Sequence, residues 1–198
     1  MEVRGGLDAL DIGKPTGLGI PHERGGVEPT RWDSRNSGLS MGFGQNIALT
    51  PIRLASLFTA FARDDFAAIL PRLVLAVGGE PRSVRAPMQS LLDDESQRAL
   101  IRRALAGVVE EGTGAETFRG ARYPISGKTG TAKDESKQTY VSSFVGYAPR
   151  EKPRIVVLVL ADRPEATARK PYGALVAGPA VKDIVEETLD YYGSEAVR

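Results

Sequence analysis

Apolar residues recur along this chain with two different periods, and the change falls near residue 122. From Thr50-Pro51 onward, Leu54, Leu57, Phe58 and Phe61 stand at i, i+3, i+4 and i+7, one face of a helix. Threonine suits the cap and proline the first helical position. A second helix is predicted after Asp93-Asp94, whose carboxylates favour a helix start. Ile101, Ala104, Leu105 and Val108 form its apolar face, and Gly112-Thr113-Gly114 ends it. Between the helices, Arg72–Val77 and Arg82–Arg85 read as a short extended pair turned by Gly78-Gly79. Beyond residue 122 the pattern becomes that of strands: Tyr123–Lys133, Tyr140–Tyr147 and Arg154–Ala161, joined by polar connections at 134–139 and 149–153. Connections that short join antiparallel neighbours, because a parallel crossover needs a dozen or more residues. Ile155-Val156-Val157-Leu158-Val159-Leu160 is apolar at every position, as in a strand covered on both faces. A last helix runs from Gly173 or Pro179 to Tyr192, with Val181, Ile184, Val185 and Thr188 on one face.

The first fifty residues break this order. They are rich in glycine and proline and read as loops and turns rather than an independent core. The expected architecture is therefore α/β of the α+β kind: three antiparallel strands with a C-terminal helix, plus a helical subdomain. Residues 1–198 are taken as one domain, loop-rich and helical over 1–121, sheet and helix over 122–198.

Composition narrows the function classes. With 41% hydrophobic and 26% charged residues the chain is globular in type. Its 26 basic and 25 acidic residues leave +1, so no overall field draws it to nucleic acid or anionic lipid. There is no cysteine, which removes disulfide and thiol chemistry. A single histidine, His22, in a Gly/Pro-rich loop, argues against a Ser-His-Asp triad or a multi-histidine metal site. No metal and no cofactor are expected. The longest apolar run, Ile155 to Ala161, is seven residues, against the roughly 20 of a spanning helix. Neither membrane contact by this chain nor a secretion leader at its start is expected.

Ser126-Gly127-Lys128-Thr129-Gly130-Thr131 is the densest polar cluster on a well-patterned strand. A phosphate loop ending in Gly127-Lys128-Thr129 needs glycine at 122, where Arg122 stands, and a helix to follow, where a strand continues. Lys-Thr-Gly on an edge strand suits acyl transfer instead. An ammonium holds an anion or tunes a nearby hydroxyl, threonine hydroxyls bind a carboxylate, and glycine admits close approach. A backbone N–H just beyond could serve an oxyanion. Taken alone, the tripeptide also fits an exposed edge strand guarded by a lysine.

The surrounding sequence decides between them. Gly17-Leu18-Gly19-Ile20-Pro21, Trp32, Gly42-Phe43-Gly44-Gln45-Asn46-Ile47-Ala48-Leu49-Thr50-Pro51, Gly112-Thr113-Gly114, Lys128-Thr129-Gly130-Thr131-Ala132, Phe144-Val145-Gly146-Tyr147-Ala148-Pro149 and Arg154–Asp162 occur in register over about 150 residues. In this the chain resembles the C-terminal half of the transpeptidase domain of class B high-molecular-weight penicillin-binding proteins, part of a penicillin-binding/serine β-lactamase-like fold. A β-lactamase or penicillin sensor shares the Lys-Thr-Gly strand, but the Gly-Gln-Thr-Pro and Gly-Thr-Gly segments fit it poorly.

The resemblance implies that Lys128 joins the hydrogen-bond network of a serine nucleophile. It implies that Thr129, Gly130 and Thr131 bind substrate, and that the Thr131 N–H completes an oxyanion hole. The family's other motifs are S-x-x-K and S-x-N. No serine here has lysine three residues later. Ser34-Arg35-Asn36 is a formal S-x-N, but it follows Trp32 where the family's motif lies well upstream, and it reads as a turn. The implied enzyme cross-links peptidoglycan from D-Ala-D-Ala stem peptides and is acylated by β-lactams, anchored in the inner membrane with this domain outside the cytoplasm. The chain by itself is expected to be inactive. It is expected to pair with the N-terminal half of such a domain or with a second copy of itself, since Ile155–Leu160 would otherwise expose an apolar sheet edge. A non-catalytic module that binds cell-wall peptide or a partner protein is the competing reading. Nucleic acid is not an expected partner.

Overall fold

The computed structural model describes residues 7–27, 44, 47–134, 138–165 and 171–195. Trp32, Ser34–Asn36, Gln45, and parts of the 133–137 and 163–170 stretches lie outside the described residues. The chain forms two compact units. One comprises Met1–Leu57 with Ala67–Gln89, the other Phe58–Phe66 with Ser90–Arg198.

In the first unit, helix α1 (Pro51–Phe58) begins where the sequence predicts. Thr50 Oγ1 accepts from Arg53 N at 3.4 Å. Besides the apolar Leu57 and Phe58, this helix buries Arg53 and Ser56. Arg53 is only 1% exposed, and its Nη2 donates to the carbonyls of Lys14 (3.2 Å) and Pro15 (3.1 Å). The next residues turn under a single carboxylate. Glu23 accepts from the N–H groups of Thr16 (2.7 Å), Gly17 (3.1 Å) and Leu18 (3.2 Å), and from the Thr16 hydroxyl. Arg85 Nη1 closes the other side on Thr16 O at 2.6 Å. The bond from the Thr16 hydroxyl, followed by the three backbone N–H groups, holds the Glu23 carboxyl below its ordinary range.

The extended pair is shorter than the sequence suggests. Strands β1 (Ala76–Val77) and β2 (Glu80–Pro81) pair antiparallel, Val77 opposite Glu80. Gly78 and Gly79 take φ of 60° and 87°, the two-residue hairpin turn that needs positive φ at both positions. That turn pairs the residues directly flanking it, so the second strand lies at 80–81 and not at Arg82–Arg85.

In the second unit, Phe58 passes into a 3-10 turn (Thr59–Ala62). Helix α2 (Glu95–Glu110) follows Asp94, whose carboxylate accepts from Ser96 N (2.7 Å) and Gln97 N (3.1 Å). Its inner face differs from the apolar stripe of the sequence: Ala104 is exposed, while Ala106 is buried and Leu105, Val108 and Val109 are half-buried. The reason is Phe66, fully buried, with the guanidinium carbons of Arg98 and Arg102 at 5.3 and 4.9 Å from its ring centroid. The two arginines also donate to the carbonyls of Leu92, Phe61 and Arg63, so they occupy inward positions. Ala104, two residues and about 200° from Arg102, is turned outward. After α2 comes the short helix α3 (Ala115–Phe118).

Strands β3 (Ser126–Asp134), β4 (Thr139–Ala148) and β5 (Ile155–Asp162) form an antiparallel sheet in that order, as expected from the short connections. Helix α4 (Gly173–Val176) and helix α5 (Gly178–Glu195) complete the unit. One side of the sheet meets α5: Phe144, Ala148 and Val157 pack with Val181, Val185, Leu189 and Phe118. The Phe118 and Phe144 rings lie 4.6 Å apart. The face of α5 is the i, i+4 row 177–181–185–189; Ile184, expected inside, is 42% exposed. On the other side Val145 and Tyr147 pack with Phe58, joined by Val156 and Leu158. Alternate residues of β5 thus serve both cores, which explains its unbroken apolar run. Only Val157 of the strand is buried, however, and among the described strands β5 pairs on one side only.

Candidate active site

Alternation along β3 sends Lys128 and Gly130 to one face and Thr129 and Thr131 to the other. The glycines of this stretch answer to the sheet itself. A Cβ at Gly127 would come within 2.6 Å of the Phe144 ring and 2.5 Å of Val145 O, so the buried phenylalanine needs the vacancy. A Cβ at Gly130 would come within 2.5 Å of Ser143 Oγ on the neighbouring strand. The absence of a phosphate loop follows: the residues after Lys128-Thr129 continue a strand through Asp134.

Thr129 and Thr131 both open onto a cleft of about 330 Å³, whose other walls are Thr113, Glu116, Tyr172, Gly173, Ala174 and Leu175. Three segments are held together to make it. The 112–114 turn closes α2, with Gly112 N–H donating to Gly107 O and Gly114 N–H to Val108 O, each at 2.8 Å. That places Thr113 Oγ1 at 3.1 Å from Thr129 Oγ1. The 171–174 segment is pinned twice: buried Ser142 on β4 donates to Pro171 O (2.6 Å), and Thr117 on α3 donates to Ala174 O (3.0 Å). Gly173 N–H then donates to Thr131 Oγ1 at 3.0 Å. Gly173 is required there. A Cβ on it would lie 2.1 Å from Ser143 O and 2.4 Å from Gly130 O.

Lys128 is exposed, and its Nζ donates to Thr129 O at 2.8 Å. Neither Lys128 nor Gly130 lines the cleft; Thr129 and Thr131 do. Thr113, Glu116, Tyr172 and Gly173 line it, and Thr117 and Ser142 hold its wall, without having been assigned to it from the sequence. Thr113 lies in the Gly112-Thr113-Gly114 segment already quoted, and Pro171-Tyr172-Gly173 is a turn signal just before the last helix. A second depression, about 460 Å³, lies among Arg63, Asp64, Asp65, Glu151 and Lys152, with Arg63 paired to Asp65. Among the described residues no three His, Cys, Asp or Glu side chains gather as metal ligands, and no helix is long and apolar enough to cross a membrane.

Chemically the cleft offers two hydroxyls side by side on one strand, each in contact with a second hydrogen-bonding group. The strand's ammonium, Lys128, lies on the opposite face, and among the described residues the one charged side chain in the cleft wall is Glu116.

Residues 2–186 match the sequence profile of the penicillin-binding protein transpeptidase domain. The chain is similar to a probable peptidoglycan D,D-transpeptidase, PbpC, of Pseudomonas aeruginosa, at 33% identity over 92% of this chain and 32% of the relative. It is similar to a protein of the same description, PenA, of Neisseria meningitidis, at 30% identity over 93% of this chain and 31% of the relative. Among solved structures it superposes on Pseudomonas aeruginosa PBP2 with TM-score 0.78 and 27% identity, covering 92% of this chain and 42% of the other. The transpeptidase domain of Burkholderia pseudomallei penicillin-binding protein 3 gives TM-score 0.76 and 27% identity, covering 96% and 56%. The chain spans about a third of the length of these curated relatives.

Proposed function

Because the chain belongs to the penicillin-binding protein transpeptidase domain family, we propose that it is the part of a peptidoglycan D,D-transpeptidase that supplies the Lys-Thr-Gly strand and its substrate cleft. The observation that carries this is the convergence of the Thr129 and Thr131 side chains on one cleft, beside Thr113 and the 172–175 segment. On this reading the two hydroxyls hold the terminal carboxylate of a D-Ala-D-Ala stem peptide. Lys128 sits in the hydrogen-bond network of a serine, Gly130 keeps the strand clear of a side chain, and the Thr131 N–H stabilises the oxyanion. The serine attacks the carbonyl between the two alanines, the terminal D-alanine leaves, and the acyl group passes to an amine of a neighbouring strand of peptidoglycan. A β-lactam acylates the same serine.

Covalent catalysis requires an activated nucleophile, and no serine of these 198 residues has lysine three positions later. The chain alone is therefore inactive, and the nucleophile comes from an S-x-x-K segment outside it. The one-sided pairing of β5 supports a further strand docking there, from such a segment or from a second copy. The parent acts outside the cytoplasm, anchored in the inner membrane. The missing S-x-x-K also favours a second reading, a non-catalytic module that binds cell-wall peptide.

Titration of the chain with acetyl-D-alanyl-D-alanine, followed by backbone-amide and threonine-methyl NMR, tests binding at this cleft. Shifts centred on Thr129 and Thr131 are expected. Shifts confined to the Arg63–Lys152 depression, or none at millimolar ligand, would refute it.

A further inference from the structure

Resting on the reading that this cleft takes a carboxylate, we propose that Thr113 is a positioning residue that fixes the direction of the Thr129 hydroxyl proton. A hydroxyl has one proton to give and lone pairs to receive. To hold an anion, the two strand hydroxyls must both donate, and each does so most readily when a protein donor already occupies its oxygen. For Thr131 the protein supplies that donor through its backbone: Gly173 N–H points at Thr131 Oγ1 from 3.0 Å and cannot reverse roles. The Thr131 proton is thereby left for the cleft.

Thr129 has a corresponding neighbour in Thr113 Oγ1, at 3.1 Å, where either oxygen can give the proton. An arriving carboxylate breaks this symmetry. It accepts from Thr129, and Thr113 then donates to Thr129. The pair Thr113→Thr129→carboxylate mirrors Gly173→Thr131→carboxylate, and polarised chains of this kind strengthen one another. Glu116 places a further negative charge in the same cleft, so an anion is retained there only where donors are aimed at it. Loss of the Thr113 hydroxyl leaves Thr129 free to rotate while the shape of the wall is kept by valine.

The test compares acetyl-D-alanyl-D-alanine with its C-terminal amide on wild-type chain, Thr113→Val and Thr113→Ser, by NMR titration. Wild type is expected to prefer the carboxylate. T113V is expected to lose about fivefold of that preference, the size of one hydrogen bond, and T113S to recover it. The carboxylate-to-amide ratio is the informative quantity, since a merely loosened cleft weakens both ligands alike. An unchanged ratio in T113V, equal weakening of both ligands, no wild-type preference, or failure of T113S to restore it each overturns the positioning role while leaving the cleft as the binding site. Absence of any binding to wild type instead removes the functional reading, and this inference with it.

Discussion

Replacing Gly173 by alanine should damage the cleft and the fold together, because the added methyl meets backbone that cannot yield. The ideal Cβ lies 2.1 Å from Ser143 O and 2.4 Å from Gly130 O, on residues paired across the β3–β4 ladder. The 171–174 segment must retreat by about 1 Å or more to reach ordinary contact. That stretches the Gly173 N–H bond to Thr131 Oγ1 (3.0 Å) and pulls on Ser142–Pro171 and Thr117–Ala174. Forced overpacking costs about 1–3 kcal/mol, and one lost hydrogen bond adds about 0.5–1.5 kcal/mol. The sum is about 2–4 kcal/mol, or roughly 4–16 °C in thermal midpoint for a chain of this size. Urea unfolding followed by far-UV circular dichroism reads the loss. Gly107→Ala and Gly193→Ala serve as controls. Both sit in helices with nothing within 4 Å of a new Cβ, so each should stabilise by about 0.5–1 kcal/mol. A G173A variant as stable as G107A would refute the packing argument, whatever its effect on binding.

Two other outcomes follow from local geometry. Asp94→Ala removes the acceptor for Ser96 N and Gln97 N and should destabilise by about 1 kcal/mol in the same unfolding assay, with Asp94→Asn recovering most of it; an A variant equal to wild type would show that the cap is not formed in solution. Glu23, its carboxyl held below the ordinary range by the Thr16 hydroxyl and three backbone N–H groups, contributes stability above its unfolded value of about 4.3 that is lost as pH falls through the lower folded value. Glu23→Gln should therefore lower the unfolding midpoint at pH 7 and flatten its decline toward pH 3, whereas parallel curves for the two proteins would remove Glu23 from the acid response.

The sheet was legible because its signals are local. Three strand-length stretches with connections too short for a crossover dictate antiparallel neighbours, and Lys128–Thr131 fall within β3. Helix faces were less legible, since hydropathy ranks arginine as outward. Arg98 and Arg102 point in because Phe66 offers a ring and the neighbouring turns offer carbonyls, which rotates Ala104 to solvent. On α5 the single i, i+4 row of Val181, Val185 and Leu189 suffices to cover the sheet, so Ile184 is spared. The cleft's far wall was hidden for a different reason. Ser142, Thr117 and Gly173 act through contacts between segments distant in sequence, and no local period encodes such contacts.

On the proposed reading these 198 residues carry the Lys-Thr-Gly side of a transpeptidase site and no S-x-x-K nucleophile. Intact-mass measurement after incubation with excess benzylpenicillin tests it most directly, first on the chain alone and then with an S-x-x-K-bearing segment of a relative added. The expected result is an unchanged mass for the chain alone and a penicilloyl adduct on the added serine when the two are combined, weakened by Lys128→Ala. A stoichiometric adduct on the chain alone would contradict it, and Ser34 would then be the first serine to replace.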